Sequence, residues 1–180
     1  MRRISIAALT LLLLALAPMA ATASNVHLKG RSGPAFTDNG LTLSATGNLA
    51  GLGNADLVVK LTATGNAKAT CTNPSGKNQP PGQNPAPVTL TGVQAIPASE
   101  IKNGNVAFNV RTARPVTPIP GAPGCPNANW TERITDVAFT SATIRVEQPA
   151  GTVVLTVRCT FSSPTANGPV PSGNVSCTSS

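Results

Sequence analysis

The chain has 180 residues, 41 % of them hydrophobic, and carries 13 lysines and arginines against 6 acids, for a formal net charge of +7. One histidine, six carboxylates, no tyrosine and 3 % aromatic residues leave a thin stock of groups for acid–base or nucleophilic catalysis. They also leave too few flat rings for the stacking platforms of sugar or single-stranded nucleic-acid sites. The composition points away from an enzyme, away from a nucleic-acid partner, and toward a globular domain that binds something else.

The first element in chain order is an export signal. Arg2 and Arg3 precede an apolar run from Ile4 to Ala17, Pro18 breaks it, and Ala21-Thr22-Ala23 stands before Ser24. Charged, apolar, then small residues is the order of a secretory signal peptide. The run is shorter than the roughly 20 residues of a spanning helix, and its leucine-rich centre suits the ordinary secretory route better than a twin-arginine one. Residues 1–23 are therefore expected to be cleaved, with no transmembrane segment after cleavage. That leaves residues 24–180 as a single secreted domain with 11 basic and 6 acidic residues, a net charge of about +5. A moderate positive charge favours anionic surfaces such as cell-envelope polymers, although the lysines and arginines are spread almost singly, as on solvated strand faces.

Beyond the signal, apolar and polar residues alternate and helical spacing is nearly absent. Short strand candidates are residues 25–29, 88–91 and 106–112. Leu41, Leu43, Ala45, Gly47 and Leu49 share one face of a strand. After Ala50-Gly51-Leu52-Gly53-Asn54, the longest alternation runs from Leu57 to Cys71, with Leu57, Val59, Leu61, Ala63, Ala67, Ala69 and Cys71 on one side. Turn chemistry between these two strands predicts a hairpin. Val137 and Phe139 are out of phase with Ile144, which predicts a bulge near Thr140 or Ser141. Ala142, Ile144 and Val146 then lead through Gln148-Pro149-Ala150-Gly151 into Val153, Leu155, Val157, Cys159 and Phe161. Pairing Val146 with Val153 keeps every apolar residue of this second hairpin on one face.

Four cysteines in an exported chain, with no C-x-x-C spacing, predict two disulfides rather than metal or redox chemistry. A last strand carries Val175 and Cys177. Setting Phe161 opposite Val175 puts Cys159 opposite Cys177, within the separation a disulfide tolerates, and leaves Cys71 for Cys125. Cys71 with Cys159 across two sheets, as in immunoglobulin-like domains, stays open. The sum is an all-β, two-sheet antiparallel sandwich, immunoglobulin-like or similar, of about seven or eight strands. Two proline-rich loops, residues 73–87 and 114–129, are each held near one end by a cysteine.

No constellation of residues announces a catalytic site. His27 stands alone near the predicted mature N-terminus, without the second ligand a zinc site needs. Asp38 and Asp56 read as turn residues, and neither Thr37-Asp38-Asn39-Gly40 nor Gly53-Asn54-Ala55-Asp56 has the spacing of a calcium loop. Glu132 and Asp136 flank Arg133 with no reason to converge. No cofactor and no metal are expected. Candidate binding residues are Trp130, five residues past Cys125, which either packs over the bridge or stands as an anchor, and Pro118, Ile119 and Pro120 in the second proline-rich loop. Asn129-Trp130-Thr131 and Asn174-Val175-Ser176 match the glycosylation pattern, which a bacterial host would leave inert.

The stretches Val26-His27-Leu28-Lys29-Gly30, Gly40 to Asn54, Cys71-Thr72-Asn73-Pro74, Cys125 to Ile144 and Pro149 to Phe161 are similar to uncharacterised small secreted β-rich proteins of actinobacteria and related bacteria. The resemblance implies export and a bacterial host, and contributes no catalytic residue. Two binding roles are expected ahead of catalysis. One is a non-enzymatic sandwich that binds or decorates an anionic cell envelope or another extracellular surface. The other is an inhibitor or ligand carrier that presents the disulfide-held loop to an extracellular protein, since a rigid loop lowers the ordering cost of binding. A hydrolase with an unrecognised site ranks third.

Overall fold

A computed structural model describes residues 25–30, 33–78 and 85–180, so the predicted signal peptide, residues 1–23, lies outside the described residues. Strands are β1 (His27–Leu28), β2 (Ala35–Asp38), β3 (Leu43–Ala50), β4 (Leu57–Thr72), β5 (Val88–Ile96), β6 (Val106–Arg111), β7 (Thr131–Glu147), β8 (Val153–Phe161), β9 (Gly168–Pro169) and β10 (Val175–Ser179). Two antiparallel sheets result. In one, β3 pairs with β6 along one edge and with β1 and β2 along the other, and β2 pairs onward with β9. The other has the order β10-β8-β7-β4-β5. The all-β sandwich is as expected. Among the described residues it has ten strands, the count rising above seven or eight through the short β2 and β9, whose four and two residues are too brief to register as alternation.

The predicted alternation of Leu57 to Cys71 is realised residue by residue. Every second side chain of β4 from Leu57 onward is buried, while the intervening ones are half-buried or exposed. Leu57, Val59, Leu61, Ile144, Val146 and Val157 of this sheet meet Leu43, Ala45, Leu49, Phe108 and Val110 of the other in one continuous core. Each of the larger side chains contributes about 1.5–3 kcal/mol relative to an exposed position. Phe36 and Phe161 meet edge to face, 5.2 Å between centroids, and tie β2 to β8 across the sandwich. The bulge falls where the phase change requires it: Thr64 pairs with Ser141 and Gly65 with Phe139, leaving Thr140 as the extra residue. A second shift between Lys68 and Ala69 leaves Thr135 extra and returns Ile134 and Glu132 to the inward face.

Two expectations are corrected. The strands β3 and β4 do not form a hairpin. They lie in opposite sheets, and residues 51–56 arch between them. The arch is held by Gln148, 4 % exposed, whose Oε1 accepts from Gly53 N at 2.8 Å and whose Nε2 donates to Gly53 O at 3.1 Å and to Ala55 O at 2.7 Å. An apolar stripe facing inward is served equally by either arrangement, and this amide decides between them. The β7–β8 hairpin is real, but Val146 pairs with Leu155, Ile144 with Val157 and Ala142 with Cys159, two residues beyond the predicted register. The turn is longer than expected, closing through Gln148 N to Thr152 O and Thr152 N to Pro149 O, with an irregularity at Glu147. A shift of two keeps the faces unchanged.

Both disulfides follow the first of the two predicted pairings. Cys159–Cys177 joins directly opposed residues of β8 and β10, with Cα atoms 4.1 Å apart, and Cys71–Cys125 joins the end of β4 to the second proline-rich loop, with Cα atoms 5.7 Å apart. No cysteine is free, and the alternative Cys71–Cys159 pairing is excluded.

Candidate binding groove

Residues 113–130 carry Pro115, Pro118, Pro120, Pro123 and Pro126, which lack the N–H groups a strand ladder needs. The segment therefore crosses the end of the β4–β7 pair as an irregular loop, anchored at a few points. Ala113 N donates to Thr91 O at 2.7 Å, Ile119 N to Glu132 O at 2.8 Å and Cys125 N to Ala122 O at 3.0 Å. Thr117 Oγ1 accepts from Ile134 N at 3.1 Å. With the Cys71–Cys125 bridge, these contacts fix the loop against β5 and β7.

Between this loop and residues 85–91 runs a groove of about 560 Å³, within the usual size of ligand sites. Leu90 and Ile134, both buried, line it together with Pro87 and Val88 from one wall and Pro115, Val116, Ile119, Pro120 and Pro123 from the other. Arg114 is the single charged residue on its lining. Val116, 76 % exposed, is the most open large aliphatic side chain among the described residues.

The groove depends on a close approach between sheets. A Cβ on Gly92 of β5 would lie 1.9 Å from the Arg111 carbonyl oxygen and 2.9 Å from Thr112 Cα. Only glycine lets the chain leaving β6 pass here, and the same passage delivers the Ala113–Thr91 hydrogen bond and the Ala113–Val116 wall.

Of the predicted binding residues, Ile119 and Pro120 line the groove. Pro118 is exposed beside them, and Trp130, half-buried, donates its backbone N–H to Asn127 O at 3.1 Å at the far end of the loop. Trp130 belongs neither to the groove lining nor to the core. The loop and its bridge were readable from prolines and cysteines, whereas the opposite wall at residues 85–88 and the Gly92 contact carry no local signal.

Sequence reading also missed Glu132. Its side chain is fully buried on the inward face of β7, in phase with Ile134. Oε2 accepts from Gly124 N at 3.0 Å, and Oε1 has no hydrogen-bond partner among the described residues. A Cβ on Gly124 would lie 2.5 Å from Oε1, so the loop packs directly on the carboxylate. Alternation of Glu132 with Ile134 was the available signal, masked by the bulge at Thr135.

The remaining titratable groups are dispersed. Asp38 does sit at a turn, accepting from Gly40 N at 2.8 Å, but it is 2 % exposed and also accepts from Thr165 Oγ1. Burial pushes its carboxyl above the ordinary range against the pull of these two hydrogen bonds, and Asp136 adds to the upward push. Exposed His27 has one side-chain hydrogen bond among the described residues, between Nδ1 and the Asn25 carbonyl oxygen at 2.8 Å. Among the described residues there is no group of three or more histidine, cysteine or acidic side chains placed to hold a metal ion, and no helix is long and apolar enough to cross a membrane. No family model matches the chain, and no curated protein matches it in sequence.

Proposed function

We propose that the protein is an exported, non-enzymatic binding domain that docks an extracellular protein partner on the proline-lined groove and its rim. One observation carries this reading: a preformed apolar groove with a single charged group on its lining, walled by the disulfide-anchored loop and topped by a largely exposed Val116. A preformed concave site lined mostly by apolar side chains with few polar groups is the usual form of a binding site, and a wall already fixed by prolines and a bridge costs little ordering entropy when a partner arrives. The two disulfides suit an oxidising compartment, in keeping with the Arg2-to-Ala23 export pattern.

The test is site-specific photo-cross-linking in the extracellular fraction of the native host. A photoreactive residue at position 116 should capture one protein, and capture should disappear when Pro120→Asp is added. The same probe at position 150, in the turn at the other end of the long strand β7, should capture none. No capture at 116, or equal capture at 150, contradicts the proposal.

A further inference from the structure

The outward face of the β10-β8-β7-β4-β5 sheet has a composition unlike that of the groove. The registers set Thr91, Thr62, Thr143, Arg158 and Thr178 in one row across all five strands, and Thr89, Thr64, Ser141, Thr160 and Ser176 in the next. None of these side chains is buried. On the other side of the first row, Lys60 stands between Val93 and Arg145. Lys60 and Arg145 are therefore like charges directly opposite on a ladder, an arrangement that costs stability. Arg158 follows on the diagonal from Arg145, about 7–8 Å away by sheet geometry.

Two acids balance this face in part. Glu147 accepts from Lys60 Nζ at 2.7 Å, and Asp136 pairs with Lys68 at 3.7 Å further along β4. Arg133, Arg145 and Arg158 are exposed and form no ion pair among the described residues. Glu147 answers Lys60 by a direct hydrogen bond and attracts Arg145 only through space, which leaves the guanidinium groups of Arg145 and Arg158 free to meet an anion.

We propose that this face binds a phosphodiester-linked polyol or sugar polymer of an extracellular surface, with Arg145 and Arg158 on the phosphates and the threonine rows hydrogen-bonding the polymer oxygens. Charge complementarity selects a polyanion. The planar guanidinium fork matches phosphate geometry, and strands about 4.8 Å apart with side chains repeating every two residues offer hydroxyl donors at regular intervals beside the charges. The face has no ring on which a base could stack, since all four phenylalanines are in the core and Trp130 lies in the loop. The face meets the groove at Thr89 and Thr91 of edge strand β5, which line both, whereas Arg145, Arg158, Thr62 and Thr143 stand outside the groove lining, so either surface can hold without the other.

The experiment is calorimetric titration of the purified protein with synthetic poly(glycerol phosphate) at several salt concentrations, beside double-stranded DNA and polyglutamate. Poly(glycerol phosphate) should bind, with affinity falling as salt rises. The Arg145→Gln, Arg158→Gln double variant should lose at least about tenfold in affinity and flatten the plot of log affinity against log salt by about one to two units. Its melting temperature should change little, because both arginines are exposed and neither forms an ion pair among the described residues. Thr62→Val with Thr143→Val should weaken binding severalfold and leave the salt slope intact. The proposal is overturned if the native protein does not bind the polymer or if the arginine variant binds it equally well. DNA or polyglutamate bound as tightly as the phosphodiester polymer overturns it too.

Discussion

Gly92→Ala tests whether the close passage of the chain leaving β6 shapes the groove. The added Cβ would meet the Arg111 carbonyl oxygen at 1.9 Å, a backbone atom that cannot swing aside, and Thr112 Cα at 2.9 Å. Overpacking typically costs about 1–3 kcal/mol, and a contact this short against backbone belongs at the upper end. Forcing the strands apart also strains the 2.7 Å bond from Ala113 N to Thr91 O, worth about 1 kcal/mol net. Against this, alanine recovers about 0.5–1 kcal/mol of strand propensity over glycine. The net expectation is a loss of about 3 kcal/mol, or roughly 6–12 °C in Tm for a domain of this size. Thermal unfolding of the oxidised protein gives the magnitude. Hydrogen exchange at the Ala113 amide reports the location, and its protection should fall more than that of the β7–β8 ladder. A variant that melts within about 1 kcal/mol of the parent and keeps Ala113 protected would refute the reasoning.

Further predictions follow from the same contacts. Removing Cys71–Cys125, which spans 54 residues, should cost about 4 kcal/mol by loop entropy, against about 3 kcal/mol for Cys159–Cys177, which spans 18. Denaturant unfolding of the two serine double variants ranks them, and a larger loss from the shorter span contradicts the entropic account. Gln148→Ala strips Gly53 N of its buried partner and should cost about 2–4 kcal/mol, with cleavage by a protease localising to residues 51–56. Glu132→Gln keeps an acceptor for Gly124 N but sets an N–H₂ donor where Oε1 lacks a partner, so thermal scans should show a loss of about 1–3 kcal/mol, and unchanged stability would contradict this. Asp38 and Glu147 pull the acid limb of stability in opposite directions. With its folded pKa raised by burial, Asp38 costs the fold most when ionised, and that cost is relieved as pH falls through the folded value toward 3.8. Glu147, lowered by hydrogen bonds from Lys60 and Gly151, contributes stability that is full above 4.5 and lost as pH falls through its folded value. Urea unfolding should therefore show the deficit of Glu147→Gln closing below pH 4.5, while Asp38→Asn loses ground to the parent over the window above 3.8.

What was legible depended on whether a feature is local. Opposing Phe161 to Val175 was enough to place Cys159 against Cys177, because alternation pins register once both strands have a buried face. The bulge at Thr140 was equally readable from the phase change between Phe139 and Ile144. The arch between β3 and β4 was not, since the same glycines and asparagine serve a hairpin or a crossover, and the deciding side chain, Gln148, lies 95 residues from Gly53. The site divides in the same way. Prolines and Cys125 marked the 114–129 loop, whereas its partner wall, the Gly92 passage and the buried Glu132 come from pairings between distant segments. The outward rows of threonine and arginine are visible on each strand as ordinary polar positions. They become a surface only when the registers of five strands are known.

The most direct test of the groove as the binding surface is hydrogen–deuterium exchange on the oxidised protein with and without the partner captured at position 116. Protection confined to residues 85–91 and 113–123, and lost with Pro120→Asp, is the predicted footprint. Protection elsewhere, or none in these two segments, would contradict the account.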